Sequence, residues 1–248
     1  MLMINRNLYN NSRNICNFID ASMSFLMKKD PSLISTKEYW LFYYIKDDFL
    51  ANFSSLYNAD IDQDFLGFPF IRRNTRHVIE SFLDLYNLCM DQDYIEVLKF
   101  CAKEQKSAGK YKQYIYSGHN SHTGQFTIQS KCNIANKMYG ANFQELVNIA
   151  VESNSYVHPN VYMNTIPVED RLKKQQILKE LLHNNLNLFN QAYILMLKRF
   201  NQGEQPCFSC CIYPNCIQCY NNMYNEFYFG IEKQLLIEVA PTPINFRM

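Results

Sequence analysis

In FIRRNTRHVIESFLDLYNLCM, residues 70 to 90, the apolar side chains return at helical rather than strand spacing. At 100° per residue, Val78, Phe82, Leu85 and Cys89 share one arc, with Ile79, Leu83, Tyr86 and Met90 beside it. The opposite side carries Arg73, Arg76, His77, Glu80, Asp84 and Asn87. This is an amphipathic helix, and several other stretches of the chain repeat the pattern. Seven glycines against 18 Tyr and 18 Phe argue against a turn-rich β sandwich or a dinucleotide-binding α/β fold. The expected fold class is mainly α, a helical bundle.

Residues 5–28 place Leu8, Ile15, Ile19, Met23 and Leu26 at helical spacing, and KDPS stops the run. Ser35 with Glu38 three residues on has capping-box form and opens a largely buried second helix, YWLFYYIKDDFLANFSSLY. Residues 61–68 read as a connection to the third helix, with Pro69 in its first turn. Asp93 with Glu96 is expected to cap a fourth helix through about residue 105. Residues 104–140 read as loop, with QFTIQ briefly extended. Phe143, Leu146, Val147, Ala150 and Val151 mark a helix that should stop before His158, because Pro159 disfavours helical geometry at the residue before it. TIPVED opens a long helix reaching Gly203, with Lys198 and Arg199 in its last turn. Beyond a cysteine-rich insert, NNMYNEFYFGIEKQLLIEV reads either as a last helix or as a strand-bearing tail. The expected organisation is a bundle over 1–203 with a cysteine-rich appendage, 204–248, packed on it.

With 48% hydrophobic and 19% charged residues, the 248-residue chain has the balance of a folded protein. A formal net charge of +1 supplies no general field toward nucleic acid, so any RNA contact must be local. YWLFYYI and AYILML are too short to span a bilayer, and the first residues lack the form of a secretory leader. The expectation is a cytoplasmic protein with no membrane partner. Cys16, Cys89, Cys101 and Cys132 lie in apolar surroundings, as buried thiols do.

Three groups of residues carry chemistry. On the third helix, Arg76 and Glu80 are spaced i, i+4 with Arg73 and His77 on the same face, so the four either converge on one point or form a solvated face. In ESNSYVHPN, residues 152–160, His158 ends a helical run with Ser153 and Asn160 nearby, which suits either proton transfer or a structural cap. In CFSCCIYPNCIQC, Cys207, Cys210, Cys216 and Cys219 form two C-x-x-C pairs, either ligands of a structural zinc ion or reduced thiols, and Cys211 beside them leaves open which four would bind. His119 and His122 sit on the long loop, and His183 reads as solvated.

FIRRNTRHVIESFLDLYNL followed by ELVNIAVESNSYVHPN resembles a group of bacterial helical proteins with an Arg-x-x-x-Glu helix and a later Ser-containing segment ending in His-Pro, similar to the HEPN superfamily. That resemblance implies a helical bundle that dimerises and a metal-independent ribonuclease acting as a toxin or defence effector. Arg76 and Glu80 match the charged pair, and Ser153 and His158 match the later segment. HEPN nucleases carry an Arg and a His a few residues apart in one segment. No such Arg precedes His158, whereas Arg72 and His77 meet the bare spacing on the earlier helix. By the resemblance, His158 exchanges the proton, Arg76 stabilises charge on phosphate and Glu80 orients Arg76. Ser153 and Asn160 contact phosphate or hold the imidazole, Arg73 and His77 contact substrate, and no catalytic metal is expected. The implied partners are RNA, a second copy and a neutralising or sensor protein. The competing reading is a noncatalytic helical interaction protein whose Arg, Glu and His form a structural network.

Overall fold

A computed structural model describes residues 2–58, 67–116, 124–157, 171–200 and 216–234. It is mainly α, as the periodicity requires: α1 (Leu2–Lys29), α2 (Lys37–Asn58), α3 (Gly67–Met90), α4 (Ile95–Cys101), α5 (Ile128–Tyr139), α6 (Gln144–Val157), α7 (Arg171–Phe200) and α8 (Cys216–Gln234). Among the described residues the only β pairing is one isolated bridge, Tyr116 to Gln125. No helix among them is long and apolar enough to cross a membrane.

Local chemistry sets the helix boundaries. Asp30 accepts a hydrogen bond from Ser32 N–H and starts a short 3-10 turn, Pro31–Ser35. The cap of α2 is Thr36 and not the expected Ser35, since Thr36 Oγ1 accepts from Tyr39 N–H at 3.2 Å. Asp91, two residues before the expected Asp93, accepts from Asp93 N–H and starts the 3-10 turn Gln92–Tyr94, and α4 then stops at Cys101. The expected loop over 104–140 holds a 12-residue helix, α5. Thr127 caps it by accepting from Ser130 N–H, and Gly140 ends it at φ +70°, a left-handed conformation open to glycine at no cost. Of the tail segment that the sequence left open between helix and strand, residues 221–234 are helical, in α8, and the rest lies outside the described residues.

At the centre α3 packs against α2, α5, α6 and α7, while α8 lies against α1 and α7. Phe42, Phe49 and Phe53 of α2 meet Phe189 of α7 and Phe227 of α8, all five at 0% exposure. The Phe49 and Phe189 ring centroids are 4.4 Å apart, and those of Phe53 and Phe227 are 4.8 Å apart. Burying such rings contributes about 1.5–3 kcal/mol each. A polar relay crosses this core: Asn52 Nδ2 donates to Asn185 Oδ1 (3.0 Å), and Asn185 Nδ2 donates to Thr75 Oγ1 (2.7 Å). It joins α2, α7 and α3 in one register.

The seam between α7 and α8 is antiparallel and repeats about every turn. Asn190 accepts from Tyr220 O–H, Asn187 from Tyr224 O–H, and Glu232 pairs with Lys179. His183, which the sequence suggested was solvated, is packed into this seam: it stacks on Tyr228 at 4.2 Å and lies 3.4 Å from Glu232. Burial lowers its pKa. A smaller second core, including Leu88, Tyr94, Val97, Tyr111, Phe126 and Ile134, sits beneath the segment from α4 to α5.

Candidate functional site

The polar stripe of α3 is divided between two environments. Toward its N-terminal end, Arg73 and His77 are exposed and Arg76 is half-buried. Arg72, on the adjoining face, is only 8% exposed and its Nη1 donates to Glu152 O of α6 at 3.2 Å. Further along, Phe82 and Tyr86 of α3 meet Phe143 at the start of α6, with ring centroids 5.5 and 4.8 Å apart. The two helices therefore run antiparallel, and the end of α6 lies beside the arginines. Ser153, in the last turns of α6, is 1% exposed and donates its hydroxyl to Ile149 O at 2.8 Å. His158 and Asn160, like His119 and His122, lie outside the described residues.

The C-terminal half of the stripe is covered by α5 instead of being solvated. Lys131 Nζ lies 2.9 Å from Glu80 Oε1 and 2.6 Å from Asp84 Oδ2, and Tyr94 O–H donates to Asp84 Oδ1 at 2.6 Å. Asn87 Nδ2 donates to Lys131 O at 3.0 Å. Lys131, Asp84, Asn87 and Tyr94 are all buried. Taking an ammonium and a carboxylate out of water is costly, and only near-complete pairing offsets it. Burial opposes charge on Lys131, yet Asp84 and Glu80 outweigh it and raise its pKa, so it stays an ammonium. Burial pushes the Asp84 carboxyl up, while Lys131 and the Tyr94 hydroxyl pull it back.

Among the described residues, Glu80 is thus paired with Lys131, and no ion pair joins it to Arg76. Arg73 lies over the Phe70 ring at 5.5 Å. His77 and Glu80 do come together, in an open pocket of about 450 Å³ between α2, α3 and α5 whose other walls include Tyr44, Asp47, Asp48, Ser81, Asp84 and Lys131. Burial raises the Asp48 carboxyl, and His77 opposes the shift. Among the described residues, four carboxylates against one lysine and one histidine make this pocket unfavourable for phosphate. Arg73 and Arg76 are not among its walls.

Cys207 and Cys210 lie outside the described residues, and Cys216 and Cys219 fall in the first turn of α8 at i, i+3. Among the described residues, no group of three or more His, Cys, Asp or Glu side chains is placed to hold a metal ion. Of the four cysteines before that cysteine-rich stretch, Cys16 and Cys132 are buried, Cys89 is half-buried and Cys101, against expectation, is exposed. Burial pushes the Cys16 and Cys89 thiols up to about 12, which makes them unreactive at neutral pH.

Sequence reasoning missed Lys131 and Tyr94, the two groups that turn Glu80 and Asp84 inward. The available signal was the bracket of Thr127 and Gly140 around a segment with Ile128, Cys132 and Ala135 at helical spacing. No protein-family model matches the chain, and neither a curated protein nor a solved structure matches it.

Proposed function

We propose that the chain is a HEPN-like, metal-independent ribonuclease whose site lies at the end of the bundle where the arginines of α3 meet the end of α6. The observation that carries this reading is the Arg72 Nη1 hydrogen bond to Glu152 O. It brings the arginine-bearing turns of α3 beside the helix that leads directly into His158 in the sequence. The Arg helix and the last turns of α6, some 80 residues apart in the chain, are then neighbours.

In this reading His158 removes the proton of a ribose 2′-hydroxyl and the 2′-oxygen bonds to phosphorus. The bond from phosphorus to the 5′-oxygen breaks, leaving a 2′,3′-cyclic phosphate and a 5′-hydroxyl that takes up a proton. Arg76, with Arg73 beside it, stabilises charge on the non-bridging oxygens, and Asn160 holds the imidazole or the phosphate. Glu80 and Ser153 support the scaffold, Glu80 through Lys131 and Ser153 through Ile149 O. His77 sits with the carboxylates of the acidic pocket, away from where phosphate would bind. The cysteine pairs are proposed as a structural zinc clasp at the start of α8, to be checked by elemental analysis of protein purified without added metal.

The test is incubation of purified protein with RNA in EDTA, with the product ends determined. Cleavage giving cyclic phosphate ends is expected, reduced about 10²–10⁴-fold in His158→Ala. Intact RNA with and without Mg²⁺ overturns the reading. A second reading, a noncatalytic helical interaction protein, is favoured by the commitment of Glu80, Asp84 and Ser153 to internal hydrogen bonds. It is supported if wild type leaves RNA intact and Arg73→Ala or Arg76→Ala weakens capture of a specific protein without changing stability.

A further inference from the structure

A second pocket, of about 480 Å³, lies between the chain at residues 113–116 and one face of α5. Its character is opposite to that of the acidic pocket. Among the described residues no carboxylate lines it, its one ionic group is Lys137, and the rest of its polar lining consists of amides and hydroxyls, among them Gln113, Gln129 and Asn133. In a chain with 23 acidic residues, that composition selects for a ligand with one anionic group and a neutral, hydrogen-bonding body.

The groove also presents a flat apolar surface. Tyr116 is 56% exposed, although large aromatic side chains are usually covered. Its backbone is held on both sides by the bridge to Gln125, with N–H to O at 2.9 Å and O from N–H at 3.2 Å. Its neighbours Tyr114 and Ile115 pack against the second core, so the exposed ring projects from a fixed base. On the α5 wall of the groove, Gln129, itself paired with Gln144, donates through Nε2 to Asn133 Oδ1 at 3.0 Å, which orients the Asn133 amide. A fixed aromatic face, oriented amides and a single cation are the elements with which proteins bind an unpaired nucleotide: base on ring, base edge on amide, phosphate on lysine.

We infer that this groove binds one nucleotide unit, either a free nucleoside monophosphate or one residue of single-stranded RNA. For the RNA source the inference rests on the ribonuclease reading and supplies it with a substrate contact apart from the reacting groups. A free nucleotide would bind whether or not the chain cleaves RNA.

The test is calorimetric titration of the full chain with adenosine and uridine 5′-monophosphates, with the corresponding nucleosides, and with a short 2′-O-methyl oligoribonucleotide, which lacks the nucleophile for cleavage. Saturable binding is expected, weakened about tenfold or more in Tyr116→Ala, as loss of one base stack requires. Lys137→Met should weaken the monophosphates and leave the nucleosides unchanged. Both side chains are exposed, so thermal melting of both variants should match wild type. An oligonucleotide that binds more tightly than the monophosphates identifies RNA as the source, and equal affinities identify the free nucleotide. Absence of saturable binding, or wild-type affinity in both variants, overturns the inference. Binding through Tyr116 without any cleavage removes the ribonuclease reading and leaves the groove standing. Cleavage that persists in both variants with unchanged affinity does the reverse.

Discussion

Replacing Lys131 by Met tests the interior half of the α3 stripe. The substitution keeps a long apolar stem and removes the ammonium that faces Glu80 at 2.9 Å and Asp84 at 2.6 Å. Glu80 can turn to water, since its side chain is 37% exposed, but that of Asp84 is only 10% exposed and keeps a single strong donor, Tyr94 O–H. Leaving one member of a buried pair without its partner costs about 3–5 kcal/mol. A domain of this size melts about 2–4 °C lower per kcal/mol, so the midpoint should fall by about 6–20 °C. Urea unfolding followed by far-UV circular dichroism measures the loss directly. Its pH dependence identifies the cause. Removing Lys131 lets burial drive the Asp84 carboxyl further up. A carboxyl whose folded value is raised favours the folded state when protonated, so stability is greatest below the unfolded value near about pH 4 and falls as pH rises through the folded value. The deficit should therefore be full at neutral pH and shrink toward about pH 4. Adding Asp84→Leu should recover part of it by removing the stranded charge. A loss below about 1 kcal/mol, the range of an exposed pair, refutes the reasoning.

Asn185→Ala strands Asn52 Nδ2 and removes the donor to Thr75 in a fully buried relay, so chemical denaturation should show a loss of about 1–3 kcal/mol. Tyr224→Phe deletes the hydroxyl bonded to Asn187 and should weaken the hold of α8 by about 0.5–1.5 kcal/mol. Amide exchange should then speed up in α8 and remain unchanged in α3. Gly140→Ala meets nothing within 4 Å, so only its φ of +70° opposes the change, and about 1–2 kcal/mol should be lost in thermal melting.

The helices whose apolar arcs are long and regular were legible in the sequence, as in α3, where Val78, Phe82 and Leu85 recur without interruption and are buried. The α5 segment was not, because its buried face includes Lys131 and Ser130, residues that periodicity counts as solvent-facing. The same blindness affected the site. Glu80 and Asp84 looked solvated because their partner comes from a helix some 50 residues away, and pairing across that distance leaves no local pattern. His183 looked solvated for the same reason: Tyr228 and Glu232, which cover it, belong to α8. The side-by-side placement of the arginine turns and the end of α6 had only its two halves in the sequence, as motifs. Their adjacency follows from antiparallel packing of Phe82 and Tyr86 on Phe143, a tertiary fact.

One comparison tests most directly the proposed division of α3 into an arginine half that acts on RNA and a carboxylate half that holds α5. Arg76→Ala and Glu80→Gln are measured side by side for RNA cleavage in EDTA and for thermal melting. Arg76→Ala should lose cleavage with its melting point unchanged, whereas Glu80→Gln should melt lower and still cleave. Cleavage retained in Arg76→Ala, or lost in a stable Glu80→Gln, contradicts it.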